Sequence, residues 1–304
     1  MKLILTGACG HIGSFIISNI HKIKKVKELI LIDNLSSNNI HVLFNIKSKI
    51  KTSFHKVDIG TTGLLKKFKG ANIIIHCASF TNAENSFSNE KNMYRNNINC
   101  MKNVISYCLK NNSKLIHISS ASIYGKNSKI IKENDTHLIK PQSPYADIKL
   151  REERMLKKLK NKIKFISFRF GTIAGVSNGM RFHTAINKFC LNAALNRDIE
   201  VYKTAMNQYR PYLSLTDAFK VFKFCIDNQI FDNEMYNVLS GNYTVKQILN
   251  KIKKTKKKIK VKLVNSAIMN KLSYFVDDAK LTNLGIKLNS NIETDIKNTL
   301  KLFK

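Results

Sequence analysis

The chain has 304 residues, 43% of them hydrophobic, and carries 52 lysines and arginines against 20 acidic residues, a formal net charge of +32. That length buries one large core or two joined ones, and no apolar run approaches the ~20 residues a bilayer span needs. Of the basic residues only seven are arginine, so the excess reads as AT-rich coding spread over solvated faces. No arginine-rich or aromatic stripe marks a specific nucleic-acid surface. The six cysteines (Cys9, Cys77, Cys100, Cys108, Cys190 and Cys225) show no paired metal-like spacing and fit reduced thiols in a cytoplasm. No bound metal is expected.

The first apolar run, Lys2-Leu3-Ile4-Leu5, leads directly into Thr6-Gly7-Ala8-Cys9-Gly10-His11-Ile12-Gly13. With a strand this early, no signal peptide is expected ahead of the fold. Glycines three apart between a strand and a helical pattern are what a dinucleotide requires. Gly7 permits the tight turn, Gly10 lets backbone approach the pyrophosphate, and Gly13 lets the helix pack close. His11 and Ile12 fall in the helix's first turn, where free N–H groups and the dipole favour phosphate. A second run, Glu28-Leu29-Ile30-Leu31-Ile32, ends at Asp33. A carboxylate there accepts both ribose hydroxyls of NAD and repels the 2′-phosphate of NADP. Asn34 follows with no arginine near it, so NAD is the expected cofactor.

Strand-like runs at 2–6, 28–33, 51–57, 71–76, 113–119 and 163–168 alternate with helical patterns near 11–24, 61–68, 85–110 and 144–160. That alternation predicts an α/β fold with a doubly wound parallel sheet and right-handed crossovers. Asp58 and Ile59 follow the third strand, with Asp58 placed to contact adenine. Cys77, Ala78 and Ser79 end the fourth, where small residues let backbone lie against the cofactor; Thr81, just beyond, falls on the substrate side.

After Gly171 the pattern changes. A helix is expected over 181–196, a strand at 212–215, a helix over 216–229 and a strand at 235–239. The tail adds a helix, a strand near 259–264 and a final helix from Leu281 to Leu302. This divides the chain into a dinucleotide-binding unit, 1–170 with 212–239 returning to it, and a smaller interleaved α/β unit of 171–211 and 240–304. The substrate cleft then lies above the carboxyl ends of the strands.

The fifth strand ends in His117-Ile118-Ser119-Ser120-Ala121-Ser122-Ile123-Tyr124-Gly125, and Ser143-Pro144-Tyr145-Ala146-Asp147-Ile148-Lys149 follows. Tyr145 and Lys149, four apart on a helix opened by Pro144, share one face. A phenol titrating near ~10 is a poor base at neutral pH. A lysine cation beside it favours phenolate, and Ser120 is placed to hydrogen-bond the reacting oxygen.

The T-G-x-x-G-x-x-G start, Asp33-Asn34-Leu35-Ser36, the Ser-Ser-x-x-x-Tyr-Gly segment, S-P-Y-x-x-x-K, Arg169-Phe170-Gly171-Thr172, Arg210-Pro211-Tyr212 and Leu284-Gly285 span nearly the whole chain. Together they resemble the extended short-chain dehydrogenase/reductase family, within it the NAD-dependent sugar-nucleotide epimerase/dehydratase group that includes UDP-glucose 4-epimerase-like enzymes. The resemblance implies a Rossmann domain with tightly held NAD, a smaller domain for a nucleoside diphosphate sugar, and a homodimer through the helices near 85–110 and 144–160. It puts Asn97 near the cofactor, Arg210 and Arg181 on the diphosphate, and Tyr274 near the nucleotide. Ser122, Thr172 and His183 fall on the substrate side, and Arg169 at the sheet edge. No arginine follows Arg210, so Lys262 or Lys271 is the expected further cation.

Departures from the group's patterns narrow the chemistry. Where dehydratases of the group carry an Asp-Glu pair, this chain has Ala121 and Ser122. Ser122 also replaces the glutamate of the decarboxylases and the cysteine of fucose-synthase-type enzymes. His183 sits close to where the downstream histidine of that last type falls, which leaves it a candidate for proton transfer. The chemistry that needs the fewest extra groups is 4-epimerisation through a transient 4-keto sugar, with Tyr145 as base and NAD as hydride carrier, feeding polysaccharide synthesis. A 4-reductase or dehydrogenase would use the same three residues, and a non-catalytic NAD-sensing protein would share the fold.

Overall fold

A computed structural model describes the chain except residues 45, 47–48, 82–85, 126–129, 266–272 and 304. In chain order the first half gives β1 (Lys2–Thr6), α1 (His11–Asn19), β2 (Glu28–Asp33), β3 (Lys51–Lys56), β4 (Ile73–His76), α2 (Glu90–Asn111), β5 (Lys114–Ser120), β6 (Ile130–Ile131) and α3 (Pro144–Lys158). The second half gives β7 (Phe165–Phe170), β8 (Thr172–Ala174), α4 (Ala185–Ala194), β9 (Asp198–Tyr202), β10 (Tyr209–Ser214), α5 (Leu215–Asn228) and β11 (Met235–Val238). It closes with β12 (Gly241–Thr244), α6 (Val245–Thr255), β13 (Lys260–Val264), β14 (Phe275–Val276), α7 (Ala279–Asn283) and α8 (Ile292–Lys301).

Seven strands form one sheet in the order β3-β2-β1-β4-β5-β7-β11, every pair parallel. The central runs of β1, β2 and β4 read as nearly continuous Ile and Leu because both faces are covered there. Side chains alternate between the faces. Leu3 and Leu5 enter the core made with Ile16, Phe219 and Phe222 of α1 and α5, while Ile4 joins Met101, Val104 and Leu156 of α2 and α3. The order of strands reverses between β1 and β4, which opens a crevice above their carboxyl ends.

Helix α3 starts as its sequence dictates: Pro144 occupies the first turn and the Ser143 hydroxyl accepts the Ala146 N–H at 3.2 Å. Two helical expectations are corrected. The segment 61–68 forms only a 3₁₀ turn, Leu64–Lys67, because Gly63 at φ 84° starts it too late for an α-helix. The continuous helix expected from Leu281 to Leu302 is two, α7 and α8, parted at Gly285, whose φ of 96° ends α7.

Smaller sheets, β8-β10-β12, β9-β13 and β6-β14, complete the fold. In the stretch 212–239, α5 packs on α1 and β11 joins the large sheet, but β10 lies in the small one. The chain turns out of β7 at Gly171, where a Cβ would stand 2.9 Å from the Pro211 backbone. That contact draws β10 alongside β8.

A third core, with Ile186, Phe189, Ile248, Ile252 and Ile296, lies beneath the small sheet. Near it Asp295 of α8 is buried, with Oδ2 lacking a hydrogen-bond partner. Burial, and secondarily the charge of Asp217, push its carboxyl up to about 7 against the pull of a Ser214 hydrogen bond. The native protein therefore holds a proton there that the unfolded chain releases near pH 4, so stability is full below that pH and falls as pH rises through 7. Urea unfolding at pH 5 and pH 8 is expected to show a loss of roughly 3 kcal/mol. Asp295→Asn should abolish most of that difference.

Candidate active site

A cavity of about 870 Å³ runs across the carboxyl ends of the large sheet and into the small ones. At one end lies the glycine turn. Gly7 has φ 66°, and a Cβ on it would sit 2.6 Å from Ala78 N; one on Gly13 would sit 2.3 Å from Gly7 O. Gly10 caps α1 with no side-chain hydrogen bond, so the first-turn N–H groups, those of His11 and Ile12 included, have no intrahelical acceptor. Asp33 Oδ2 accepts the Cys9 N–H at 2.9 Å and Oδ1 accepts the Leu35 N–H at 2.7 Å, which fixes the carboxylate while leaving lone pairs toward the cavity. Asn34, Asp58, Ile59, Cys77, Ala78 and Ser79 line the same half. This is a cradle that a Cβ would fill, an uncapped helix end and a fixed carboxylate, and it fits NAD. Gly13→Ala should cost roughly 1–3 kcal/mol of overpacking, read by equilibrium titration as about a ten- to hundredfold loss of NAD affinity.

Asn97 is a correction. It is fully buried and not on the cavity wall. Its Nδ2 donates to Phe80 O at 3.0 Å and its Oδ1 accepts the Phe80 N–H at 2.8 Å. Both ends of the amide are spent on the loop after β4, and the neighbouring Asn96 lines the cavity instead.

Ser120, Ser122, Tyr145 and Lys149 line the middle of the cavity. Ser120 ends β5; its Oγ accepts the Ser122 N–H at 3.2 Å and shares a hydrogen bond with Ser122 Oγ at 2.9 Å. Below them lies a polar layer that spacing alone missed. Thr6, His76, His117 and Ser167 occupy one register row across β1, β4, β5 and β7, all buried. His76 Nδ1 meets Thr6 Oγ1 and His117 Nδ1 meets Ser167 Oγ, both at 2.8 Å. Lys149 Nζ donates to Glu152 Oε2 at 2.8 Å, and His117 Nε2 reaches the same oxygen at 3.0 Å. The available signal was a histidine closing each of two otherwise apolar strand runs.

Arg169 is the second correction. Its strand, β7, lies between β5 and β11, inside the sheet and not at its edge. The guanidinium is 1% exposed and grips Glu153 with two hydrogen bonds, 2.9 and 2.7 Å, away from the cavity wall.

Thr81, Thr172, Arg181, His183, Arg210 and Tyr274 line the other half. Arg181 Nη1 donates to Thr81 Oγ1, while its Nε and that of Arg210 are buried without partners. Burial lowers the Arg181 pKa from the ordinary arginine range, with Tyr145 and Cys77 opposing. Crowding by the walls, then the Arg181 charge, holds His183 at about 4, a neutral imidazole at pH 7. Burial raises the Tyr274 phenol above its ordinary value. Lys262 is exposed on β13, off the wall, and Lys271 lies outside the described residues. Among the described residues, the lysine on this half of the wall is Lys188 of α4, one turn after Thr184 and so on its face, an i, i+4 relation readable from sequence.

The segment leading to Arg181 is stitched to the glycine turn. The His11 Nε2–H donates to Gly175 O, the Ser177 hydroxyl to His11 O and the Gly179 N–H to Ser14 Oγ, each at 2.9 Å. Burial first and the Arg181 charge second, against the pull of the Gly175 hydrogen bond, hold His11 at about 4, so it stays a neutral donor at pH 7.

The model of the NAD dependent epimerase/dehydratase family matches residues 3–238. The dTDP-D-glucose 4,6-dehydratase of Dictyostelium discoideum is 26% identical over 277 residues, 82% of this chain and 62% of that protein, so the chain spans about three fifths of that relative. Among solved structures, UDP-N-acetylglucosamine 4-epimerase from Methanobrevibacter ruminantium M1 has a TM-score of 0.87 at 24% identity, covering 99% of this chain and 97% of that one. UDP-glucuronic acid 4-epimerase from Bacillus cereus has a TM-score of 0.89 at 20% identity, covering 100% and 99%. These structural likenesses establish the shared fold; the family model, matched over most of the length, assigns the kinship. The chain belongs to the NAD-dependent epimerase/dehydratase family.

Proposed function

We propose that this protein is a nucleotide-sugar 4-epimerase. NAD, when bound, supplies the hydride acceptor and donor for the sugar's C4. Tyr145 takes the proton of the 4-hydroxyl as C4 becomes a ketone, and Lys149 favours the phenolate that does so. Ser120 holds the reacting oxygen, its Oγ already oriented by the Ser122 N–H. The 4-keto sugar turns over within the cavity, and Tyr145 returns the proton as the opposite epimer forms. Arg210 and Arg181 hold the diphosphate, with Tyr274 beside the nucleotide and Thr81, Ser122, Thr172 and His183 around the sugar.

The observation that carries this reading is that, among the described residues, no carboxylate on the cavity wall neighbours Tyr145. Dehydration needs an acid and a base of its own, yet Ala121 is buried and Ser122 is bonded to Ser120. Among the described residues the carboxylates on the cavity wall are Asp33, Asp58 and Glu200. They stand at the end of β2, after β3 and on β9, none beside Tyr145 in the chain. The catalytic set also argues against a purely NAD-sensing role.

We further propose that the protein is cytoplasmic, since its six cysteines are all free thiols, and a homodimer through α2 and α3. Among the described residues no helix is long and apolar enough to cross a membrane, and Ile105, Leu109, Met155 and Leu159 line a groove between α2 and α3. The deciding experiment incubates purified protein and NAD with UDP-, dTDP-, GDP- and CDP-sugars, following sugars by chromatography and NADH by absorbance. An epimer without net NADH supports the reading. Stoichiometric NADH with an oxidised sugar would replace it with a dehydrogenase, and a 6-deoxy-4-keto product with a dehydratase.

A further inference from the structure

We infer that Glu152, gripped by His117, is the resident counter-ion of Lys149, a positioning residue that keeps the buried ammonium charged and aimed beside Tyr145. This rests on the reading of Lys149 as the cation that tunes Tyr145, although its principal test needs no turnover. Lys149 is 3% exposed and Glu152 fully buried, and their 2.8 Å contact lies within the protein. An ammonium taken out of water without a partner gives up its proton. Burial is the largest influence on Lys149 and lowers its pKa, yet the net direction is upward, because Glu152 first and Tyr145 second oppose it. Lys149 and His117 hold Glu152 at about 2 although burial pulls the other way.

The fold supports this division of labour. Tyr145, Lys149 and Glu152 are spaced by four and three along α3, so they stack on one face. The adjacent Glu153 serves a different cation, Arg169. Two neighbouring acids thus neutralise two separate buried bases. The groups facing Lys149 from packed elements are His76 and Cys77 at the end of β4, Cys100 on α2 and His117 on β5, with Tyr145 and Glu152 on its own helix. Burial keeps His76 neutral, at about 3, and both thiols neutral, at about 12. Glu152 is the carboxylate of the set. Its position is fixed from the sheet side by His117, which Ser167 anchors in turn. Its Oε1 has no partner, so the contacts that Lys149 and His117 make with Oε2 are what hold it.

The test follows the lysine directly. The protein is labelled with ¹⁵N-lysine, the Lys149 signal is assigned by its loss in Lys149→Arg, and its titration is followed without substrate. In the unmutated protein Lys149 should titrate above the ordinary lysine value; a midpoint below that value would overturn the inference without any Glu152 variant having to fold. In Glu152→Gln, which keeps the side-chain shape, the proton affinity of Lys149 should drop about 100-fold or more, and NAD affinity should weaken as pH rises through the new midpoint. Glu152→Asp should restore part of both effects. A merely structural Glu152 would lower the melting temperature and leave the Lys149 titration in place, which would refute the assignment. A silent sugar panel with an intact Lys149 response would count against the epimerase reading alone.

Discussion

Tyr145→Phe is expected to lower turnover by about 10²–10⁴-fold, the range general acid–base groups contribute, with folding and NAD binding retained. The ring packs against the cluster of Met93, Ile98 and Ile148, and phenylalanine keeps that packing. What disappears is the hydroxyl that exchanges a proton with the sugar. Lys149 and Ser120 remain, yet neither replaces it: Lys149 is committed to Glu152, and Ser120 has a neighbour in Ser122 in place of a base. The check is kcat on the substrate found by the sugar panel, alongside a thermal melt and an NAD titration. Turnover above about a tenth of the original would remove Tyr145 from the role of base, since one tenfold corresponds to only about 1.4 kcal/mol of barrier.

The largest stability effect should come from Arg169→Leu, about 3–5 kcal/mol, because it strands the buried Glu153 charge. The guanidinium binds Glu153 through two nitrogens, Tyr124 Oη at 2.7 Å and Glu133 O at 3.2 Å. Ser119 donates to Glu153 Oε1 and Tyr124 donates to Asn237 Oδ1, both at 2.6 Å. One ion pair thereby joins α3 to β5, β7 and β11, the side of the sheet that carries Ser120 and Tyr145. Adding Glu153→Met to the variant should recover a good part of the loss, since an apolar pair needs no compensation. Urea unfolding of the single and double variants measures both; a single-variant cost below about 1 kcal/mol would show that the pair contributes little.

How much of this was legible in the sequence depended on the range of the interaction. Apolar runs such as Ile73–His76 and Leu29–Ile32 announce strands locally, and the glycine turn requires small residues wherever the chain sits. Ser143 and Pro144 mark the start of α3 by rules that operate within four residues. Gly285 was a readable break, overridden by the apolar spacing on either side of it. Asn97 was placed beside the cofactor by position in a pattern, but its amide is spent on Phe80, which depends on how α2 packs over the loop. Glu152 and His117 are 35 residues apart; no periodicity connects them, because their contact requires the register of β5 and the rotation of α3 together. Arg181 and His183 reach the cavity through the hydrogen bonds of residues 175–179, which are equally long-range.

Those stitches between the glycine turn and the strand leaving β8 have a mechanical meaning. His11, Ser14 and Cys9 stand at the pyrophosphate end of the cavity, and Gly175, Ser177 and Gly179 lead within a few residues to Arg181. Gly179 lies so close that a Cβ on it would meet Cys9 O at 2.3 Å. These bonds hold the glycine turn and residues 175–179 as one bracket along the cavity. Movement of the glycine turn is thereby tied to movement of the segment that carries Arg181.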